Sequence, residues 1–261
     1  MNLSMQKLYT PIRERVVARE TLSGTFVNLG SATAAEIVAQ SGFDWILIDL
    51  EHGYGDHESL VSQLQAVSRT DCSPIVRIAW NDPVRVKRVL DMGAVGIMFP
   101  FVNTATEAEI AARSMRYPPL GIRGVSRLSR ASEYGADFAS YYENAHKTLT
   151  TVVQIETQEA LDNVEEIAAV EGVDALFLGP MDLSVNLGIK EQYDHPTFLS
   201  ARKRIADAAK QAGKAAGILL LLNGSVEDCI EEGYTLIAMG SDSGCLIGGM
   251  KNTAQQINAL K

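Results

Sequence analysis

Cysteine is scarce in this chain, and the three present, Cys72, Cys229 and Cys245, lie far apart with no Cys-x-x-Cys pair. That spacing excludes a disulfide scaffold and a thiolate metal centre, and it suits a reducing cytoplasm. No apolar run approaches the roughly 18 uninterrupted residues of a membrane span. Residues 1–20 are polar and charged, without the apolar core and small-residue cleavage pattern of a secretory signal. Positive charge is short as well: 23 Lys and Arg against 32 Asp and Glu leave a formal net charge of −9 over 261 residues. So acidic a chain is a poor general partner for nucleic acid or acidic membranes. A cytoplasmic protein acting on a small molecule is the expectation.

What is there is alternation. Apolar runs rich in β-branched residues occur at 24–29, 45–49, 73–78, 96–101, 151–156, 175–179, 215–221 and 236–240. Helical spacing follows at 34–41, 58–69, 83–92, 104–115, 158–170, 196–212, 225–232 and 246–261. Pro83 near one helix start and Gly93 past its end are start and stop signals. Thr104 with Glu107 three residues on has the spacing of a capping box. Strand and helix in strict alternation imply parallel strands with helical crossovers. Eight such units in a chain of this length predict an α/β fold of the (β/α)8 TIM-barrel type, with an open doubly wound sheet as competitor. A single domain over residues 1–261 is expected. Residues 117–150 break the rhythm as an insert, with a helix near 138–147 and Arg113, Arg116, Arg123, Arg127 and Arg130 clustered on and before it. A segment this long is not structureless in a compact domain. It reads either as a solvated loop or as a cover offering arginines to an anionic substrate.

In such a barrel the working residues stand at strand C-termini. There the sequence puts Asp49, Glu51 and His52 after the second run, Arg77 in the third, Gln154 and Glu156 in the fifth, and Asp182 after the sixth. A carboxylate inside an apolar run is costly unless paired or metal-bound. Glu156 and Asp182, on neighbouring strands without Cys or His, suit a hard cation such as Mg2+ or Mn2+. The bland alternative pairs Glu156 with Arg77 or makes it a helix cap. His52, with carboxylates beside it, is a candidate base; His57, His146 and His195 have weaker claims. No lysine ends a predicted strand, and Lys214 precedes the seventh, at the wrong face for a Schiff base. Carbonyl chemistry here therefore calls for a metal as Lewis acid.

Five separated stretches resemble the HpcH/HpaI family of metal-dependent pyruvate aldolases. They are Gly-Phe-Asp-Trp-Ile-Leu-Ile-Asp-Leu-Glu-His (42–52), Val-Arg-Ile-Ala-Trp-Asn-Asp-Pro (76–83), Arg-Tyr-Pro-Pro-Leu-Gly-Ile-Arg-Gly-Val (116–125), Val-Gln-Ile-Glu-Thr (153–157) and Leu-Gly-Pro-Met-Asp-Leu-Ser (178–184). The resemblance implies reversible cleavage of a 4-hydroxy-2-oxo or 2-oxo-3-deoxy acid to pyruvate and an aldehyde. It implies that His52 transfers the proton and Asp91 raises its basicity, and that Arg77 stabilises the enolate. Glu156 and Asp182 would hold a divalent ion (Mg2+ or Mn2+, with Co2+ possible). Gln154, Arg77, Asp182 and position 181 would contact substrate, with Glu51 and Asp49 standing behind them. Position 181 carries a small residue in the family; here it is Met181, which narrows the mouth. Ser-Arg-Leu-Ser-Arg (126–130) replaces a glycine-containing continuation, so the acceptor aldehyde is not carried over. The resemblance also implies a last helix exchanged between subunits, in hexamers built as trimers of dimers.

Three other readings use the same residues. Another carbon–carbon lyase or decarboxylase could use the same enolate. Met-Gly-Ser-Asp-Ser-Gly (239–244), after the eighth run, could cradle a phosphate ester. A metabolite-binding barrel without catalysis would have lost its ionisable mouth residues, and all are present.

Overall fold

Alternation at period two decides which side chains each strand sends inward. The computed structural model describes residues 11–221 and 224–259. The first ten residues of the polar N-terminal segment and the last two of the expected final helix lie outside the described residues. Among those described, eight parallel strands pair in chain order and close into a barrel. They are β1 (Leu22–Val27), β2 (Trp45–Asp49), β3 (Ser73–Arg77), β4 (Gly96–Phe99), β5 (Thr150–Ile155), β6 (Ala175–Leu178), β7 (Ala215–Leu220) and β8 (Tyr234–Ser241). Helix α1 (Arg13–Val17) precedes them. The crossovers carry α2 (Ala32–Ala39), α3 (His57–Val67), α4 (Pro83–Asp91), α5 (Ala105–Ser114), α6 (Phe138–Thr148), α7 (Gln158–Asp162), α8 (Val164–Ala169), α9 (Pro180–Asn186), α10 (Pro196–Gln211) and α11 (Val226–Glu232). Helix α12 (Asp242–Asn258) ends the described chain.

The alternation makes two cores. Phe26, Trp45, Leu47, Ile75, Met98, Val152 and Phe177 fill the barrel's interior, with Ile12 and Val16 of the α1 region closing its base. Ile46, Ile48, Val76, Ile97, Val153 and Leu176 face outward against the helices. The interior is packed side chain, not a pore. Two glycines make room for its largest rings. A Cβ on Gly24 would lie 2.1 Å from the Trp45 ring, and one on Gly217 2.4 Å from that of Phe177. Truncating either aromatic to alanine is worth about 3–5 kcal/mol.

All strands run the same way, so their ends define a mouth and the helices return the chain to the opposite rim. The insert belongs to that opposite rim, because α5 has already brought the chain back before the insert starts. Arg123 Nη2 pairs with Asp91 Oδ1 at 2.7 Å, and Arg130 Nη1 donates to the Met92 carbonyl at 2.9 Å. Both partners end α4. Arg123 is buried, its guanidinium 4.5 Å from the Tyr117 ring centroid and 5.4 Å from that of Tyr141. Arg116 faces Glu171, Arg113 faces Glu109, and Arg127 lies over Phe138. Of the two readings of the insert, a cover offering arginines to the chain's own mouth is corrected: Arg123 and Arg130 fasten the insert to the end of α4 on the opposite rim.

Three local differences have local causes. The expected helix at 158–170 breaks into α7 and α8 at Asn163, whose side chain donates to the Asn103 carbonyl at 2.9 Å. A short α9, opened by Pro180, follows β6 at once and carries Asp182 in its first turn. Strand β8 runs on to Ser241, which caps α12 by accepting from the Gly244 amide.

Candidate active site

Register builds the first half of the site. β2 and β3 align so that Asp49 stands beside Arg77, each two residues beyond an interior side chain, Leu47 and Ile75. The carboxylate grips the guanidinium with both oxygens, Nε to Oδ1 at 2.9 Å and Nη2 to Oδ2 at 2.7 Å. Arg77 Nη1 then reaches Glu51 Oε2 at 3.0 Å and Gln154 Oε1 at 3.5 Å. Asp49 also accepts from the Glu51 and His52 amides, which curls the chain after β2 back over the strand end. Burial pushes the Asp49 carboxyl up, but its bonds and charge contact with Arg77 outweigh burial and hold it below the ordinary value. The His52 ring stands on this curl, its side chain 63% exposed and Nε2 3.9 Å from Glu51 Oε1.

The second half comes from β5 and β6. Val152, Gln154 and Glu156 alternate inward along one strand, and β6 brings Gly179 alongside. Gln154 Nε2 donates to Glu156 Oε2 at 3.1 Å, and the Phe101 amide donates to Oε1 at 2.7 Å. A Cβ on Gly179 would lie 2.5 Å from Oε2, so only a glycine leaves Glu156 its place. Glu156 is 1% exposed. Burial raises its carboxyl to about 7; the Glu51 and Asp182 charges add to the rise, while the Phe101 amide and Arg77 oppose it. Glu51 is raised too, by burial first and by the Asp49 and Asp182 charges, against Arg77 and His52. Three carboxylates, Asp49, Glu51 and Glu156, thus share one guanidinium, and the Asp182 charge acts on two of them.

Between them lies a cleft of about 340 Å³ lined by Asn28, Asp49, His52, Arg77, Gln154, Met181 and Asp182, with Phe26, Phe177, Leu219 and Leu221 as apolar wall. Of the strand-end residues expected from the sequence, Asp49, His52, Arg77, Gln154 and Asp182 line this cleft, and Glu51 and Glu156 are joined to it through Arg77 and Gln154. Asp91 does not: it ends α4 on the opposite rim and pairs with Arg123. Within one chain its expected coupling to His52 is not made, and Glu51 is the carboxylate beside that ring. Phe101 and Asn28 were not anticipated. Asn28 was legible as a polar residue near the end of the first run; a backbone amide from a phenylalanine was not. Lys214 is confirmed at the strand-start rim, donating to the Val170 carbonyl, its burial lowering its pKa to about 8. No lysine lines the cleft among the described residues. The rival reading of 239–244 as a phosphate cradle finds the amides there already taken. Asp242 occupies the Asn28, Leu29 and Ser243 amides with its own carboxylate, at 2.8, 3.1 and 2.7 Å. An anion would meet a carboxylate there.

Residues 22–248 match the family described as HpcH/HpaI aldolase/citrate lyase. The chain belongs to that family. A 5-keto-4-deoxy-D-glucarate aldolase of Escherichia coli K12 is 40% identical over 229 residues, 88% of this chain and 89% of that one. The crystal structure of an HpcH/HpaI aldolase/citrate lyase family protein from Burkholderia cenocepacia J2315 superposes with a TM-score of 0.90. It is 37% identical over 95% of this chain and 98% of its own. An HpcH/HpaI aldolase from Desulfitobacterium hafniense DCB-2 gives 0.87 at 28% identity, covering 94% and 96%. As a member of the HpcH/HpaI family the chain is a carbon–carbon lyase, a metal-dependent pyruvate aldolase of class II.

The donors at the mouth fit the divalent cation on which the family's chemistry depends. No group of three or more His, Cys, Asp or Glu is arranged for a metal among the described residues. One or two carboxylates, with substrate and water completing the shell, is the usual arrangement for Mg2+. The surplus of three carboxylates over the Asp49–Arg77 pair, with Glu156 raised to about 7, is what such an ion relieves.

Proposed function

We propose that Glu156 and Asp182 hold a divalent cation, Mg2+ or Mn2+, and that Arg77, His52 and Gln154 act on a 2-oxo acid beside it. The observation that carries this reading is Glu156: buried, oriented by two donors, and facing further carboxylates without its own counter-charge. When bound, the cation supplies Lewis-acid stabilisation of the oxygen on which charge develops. Arg77 offers N–H donors to that same oxygen, and its two bonds to Asp49 fix the guanidinium before substrate arrives. His52 at the rim takes the proton from the C4 hydroxyl as the C3–C4 bond breaks, giving pyruvate enolate and an aldehyde; Glu51 stabilises the imidazolium that results. Gln154, held by Glu156, presents its amide to the pyruvate half. Met181, 43% exposed at the rim, narrows the entry on the aldehyde side.

Substrate size follows from the cleft, whose volume of about 340 Å³ is at the small end of ligand sites. The Escherichia coli relative bears the name of an aldolase of 5-keto-4-deoxy-D-glucarate, a six-carbon diacid, so acids of that class come first. The assay is pyruvate release from a panel of 4-hydroxy-2-oxo and 2-oxo-3-deoxy acids, after EDTA and with Mg2+, Mn2+ or Co2+ restored. Pyruvate and aldehyde in equal amounts, lost with EDTA, is the expected result. Turnover that survives EDTA refutes the metal role. Release of carbon dioxide without aldehyde points to a decarboxylase instead.

We infer a homo-oligomer from α12, which leaves the barrel with Leu246, Ile247, Met250 and Ile257 all more than half exposed. Such a stripe on a single helix asks for a partner, and the exchange of this helix within dimers of a hexamer meets that need. Light scattering distinguishes a hexamer from a monomer directly. Three free cysteines, two of them buried, accord with a cytoplasmic setting. No described helix is long and apolar enough to cross a membrane.

A further inference from the structure

Phe101 has a conformation that calls for a reason. It follows β4 at φ +50°, in the left-handed region a bulky side chain rarely adopts. That backbone turn is what points its amide at Glu156 Oε1, 2.7 Å away. The ring stacks on Trp80, from the loop after β3, with centroids 6.1 Å apart and planes at 28°. Trp80 is 57% exposed, so the pair is not part of either core. The loop just beyond is anchored from both sides. The Asn103 amide donates to Glu107 Oε2 at 2.7 Å, and Thr157 Oγ1 donates to Asn103 Oδ1 at 2.5 Å. Thr157 adjoins Glu156, so the Phe101 loop and the Glu156 segment are tied at two points.

We propose that Phe101, clamped by Trp80, is a positioning residue for the divalent cation: its left-handed backbone aims the amide that fixes the Glu156 carboxylate in one orientation beside Asp182. Strained backbone kept at a functional site by surrounding contacts is a recurring device, and groups that orient a metal ligand matter nearly as much as the ligand. The inference rests on the reading of Glu156 as a metal ligand.

The test is Mn2+ binding to the EDTA-treated enzyme without substrate, read by the electron paramagnetic resonance signal of free Mn2+. Phe101→Ala removes the clamp and keeps the strain; its Kd rises by about tenfold or more. Phe101→Gly loses less, because glycine enters the left-handed region without penalty. Trp80→Ala, at an exposed position that the fold tolerates, weakens Mn2+ in the same direction, and Trp80→Phe restores it. A packing role alone lowers the unfolding midpoint and leaves Kd where it was. Wild-type Mn2+ affinity in both Phe101→Ala and Trp80→Ala, with Glu156→Gln unable to bind, overturns the positioning role and leaves the ligand reading intact. Undiminished Mn2+ binding by Glu156→Gln removes the ligand reading, and the positioning role falls with it.

Discussion

Glu156 leaves a measurable trace before any substrate is added. Burial, reinforced by the Glu51 and Asp182 charges, raises its carboxyl from 4.5 to about 7 in the fold. At about 1.36 kcal/mol per tenfold change in proton affinity, that amounts to roughly 3 kcal/mol. The sign follows from which state holds the proton more tightly. Here it is the folded one, so the cation-free protein keeps its full stability below the unfolded value of 4.5 and loses it as pH rises through about 7. Urea unfolding in EDTA, at steps from about pH 5 to pH 8, measures this loss for wild type and for Glu156→Gln. Gln keeps the shape and cannot ionise, and groups away from the mouth contribute alike to both proteins, so the comparison reports Glu156 together with its coupling to Glu51 and Asp182. The difference between the two curves therefore falls by roughly 2.5 kcal/mol over that range, most of it below pH 7. Saturating Mn2+, binding only the fold, adds about 2.7 kcal/mol at a hundred times its Kd and flattens the wild-type curve above neutrality. Curves that run parallel from pH 5 to pH 8 refute the argument, because they mean Glu156 titrates as freely in the fold as outside it.

Other perturbations separate the roles of the remaining residues. Arg77→Ala leaves Asp49 buried without its partner, costing about 3–5 kcal/mol in urea unfolding, and kcat/KM falls by more than about 2.7 kcal/mol equivalent; wild-type kcat/KM excludes Arg77 from the chemistry. His52→Ala, at a side chain 63% exposed, shifts stability by less than about 0.5 kcal/mol while kcat falls by about 10²–10⁴. Unchanged turnover in that variant excludes an essential base. Gly179→Ala drives a Cβ to within 2.5 Å of Glu156 Oε2, and Mn2+ affinity drops by about tenfold or more, measured by titration of the EDTA-treated protein.

The closed barrel and its mouth were legible because both rest on periods. Strand alternation and the capping box at Thr104 recur in the structure where the sequence put them, as does helix spacing apart from the break at Asn163. Asp49, Arg77, Gln154 and Glu156 were found by the rule that working side chains stand at strand C-terminal ends, and the structure sets them in phase with interior positions such as Leu47, Ile75 and Val152. What escaped has no period. The direction in which residues 117–150 leave the barrel depends on α5 having returned the chain to the strand-start rim, and a count of arginines carries no such direction. Asn163 breaks a helix through one hydrogen bond to Asn103, a partner 60 residues away. Phe101 acts through a backbone N–H and a left-handed turn, and no residue type announces either.

Asp91 teaches a different lesson from the strand-end residues. Those were placed by a physical rule and converge; Asp91 was placed by resemblance and lies with Arg123 on the far rim. What the chain itself sets beside His52 is Glu51, whose other oxygen meets Arg77 at 3.0 Å. Glu51 thus connects the His52 ring to the guanidinium, and through Arg77 to Gln154 and Glu156. Arg77 can neutralise only one of these carboxylates fully, and Asp49 takes it with both oxygens. On the proposed reading, the charge left over on Glu51, Glu156 and Asp182 is what a divalent cation would offset at one end of a tightly packed barrel.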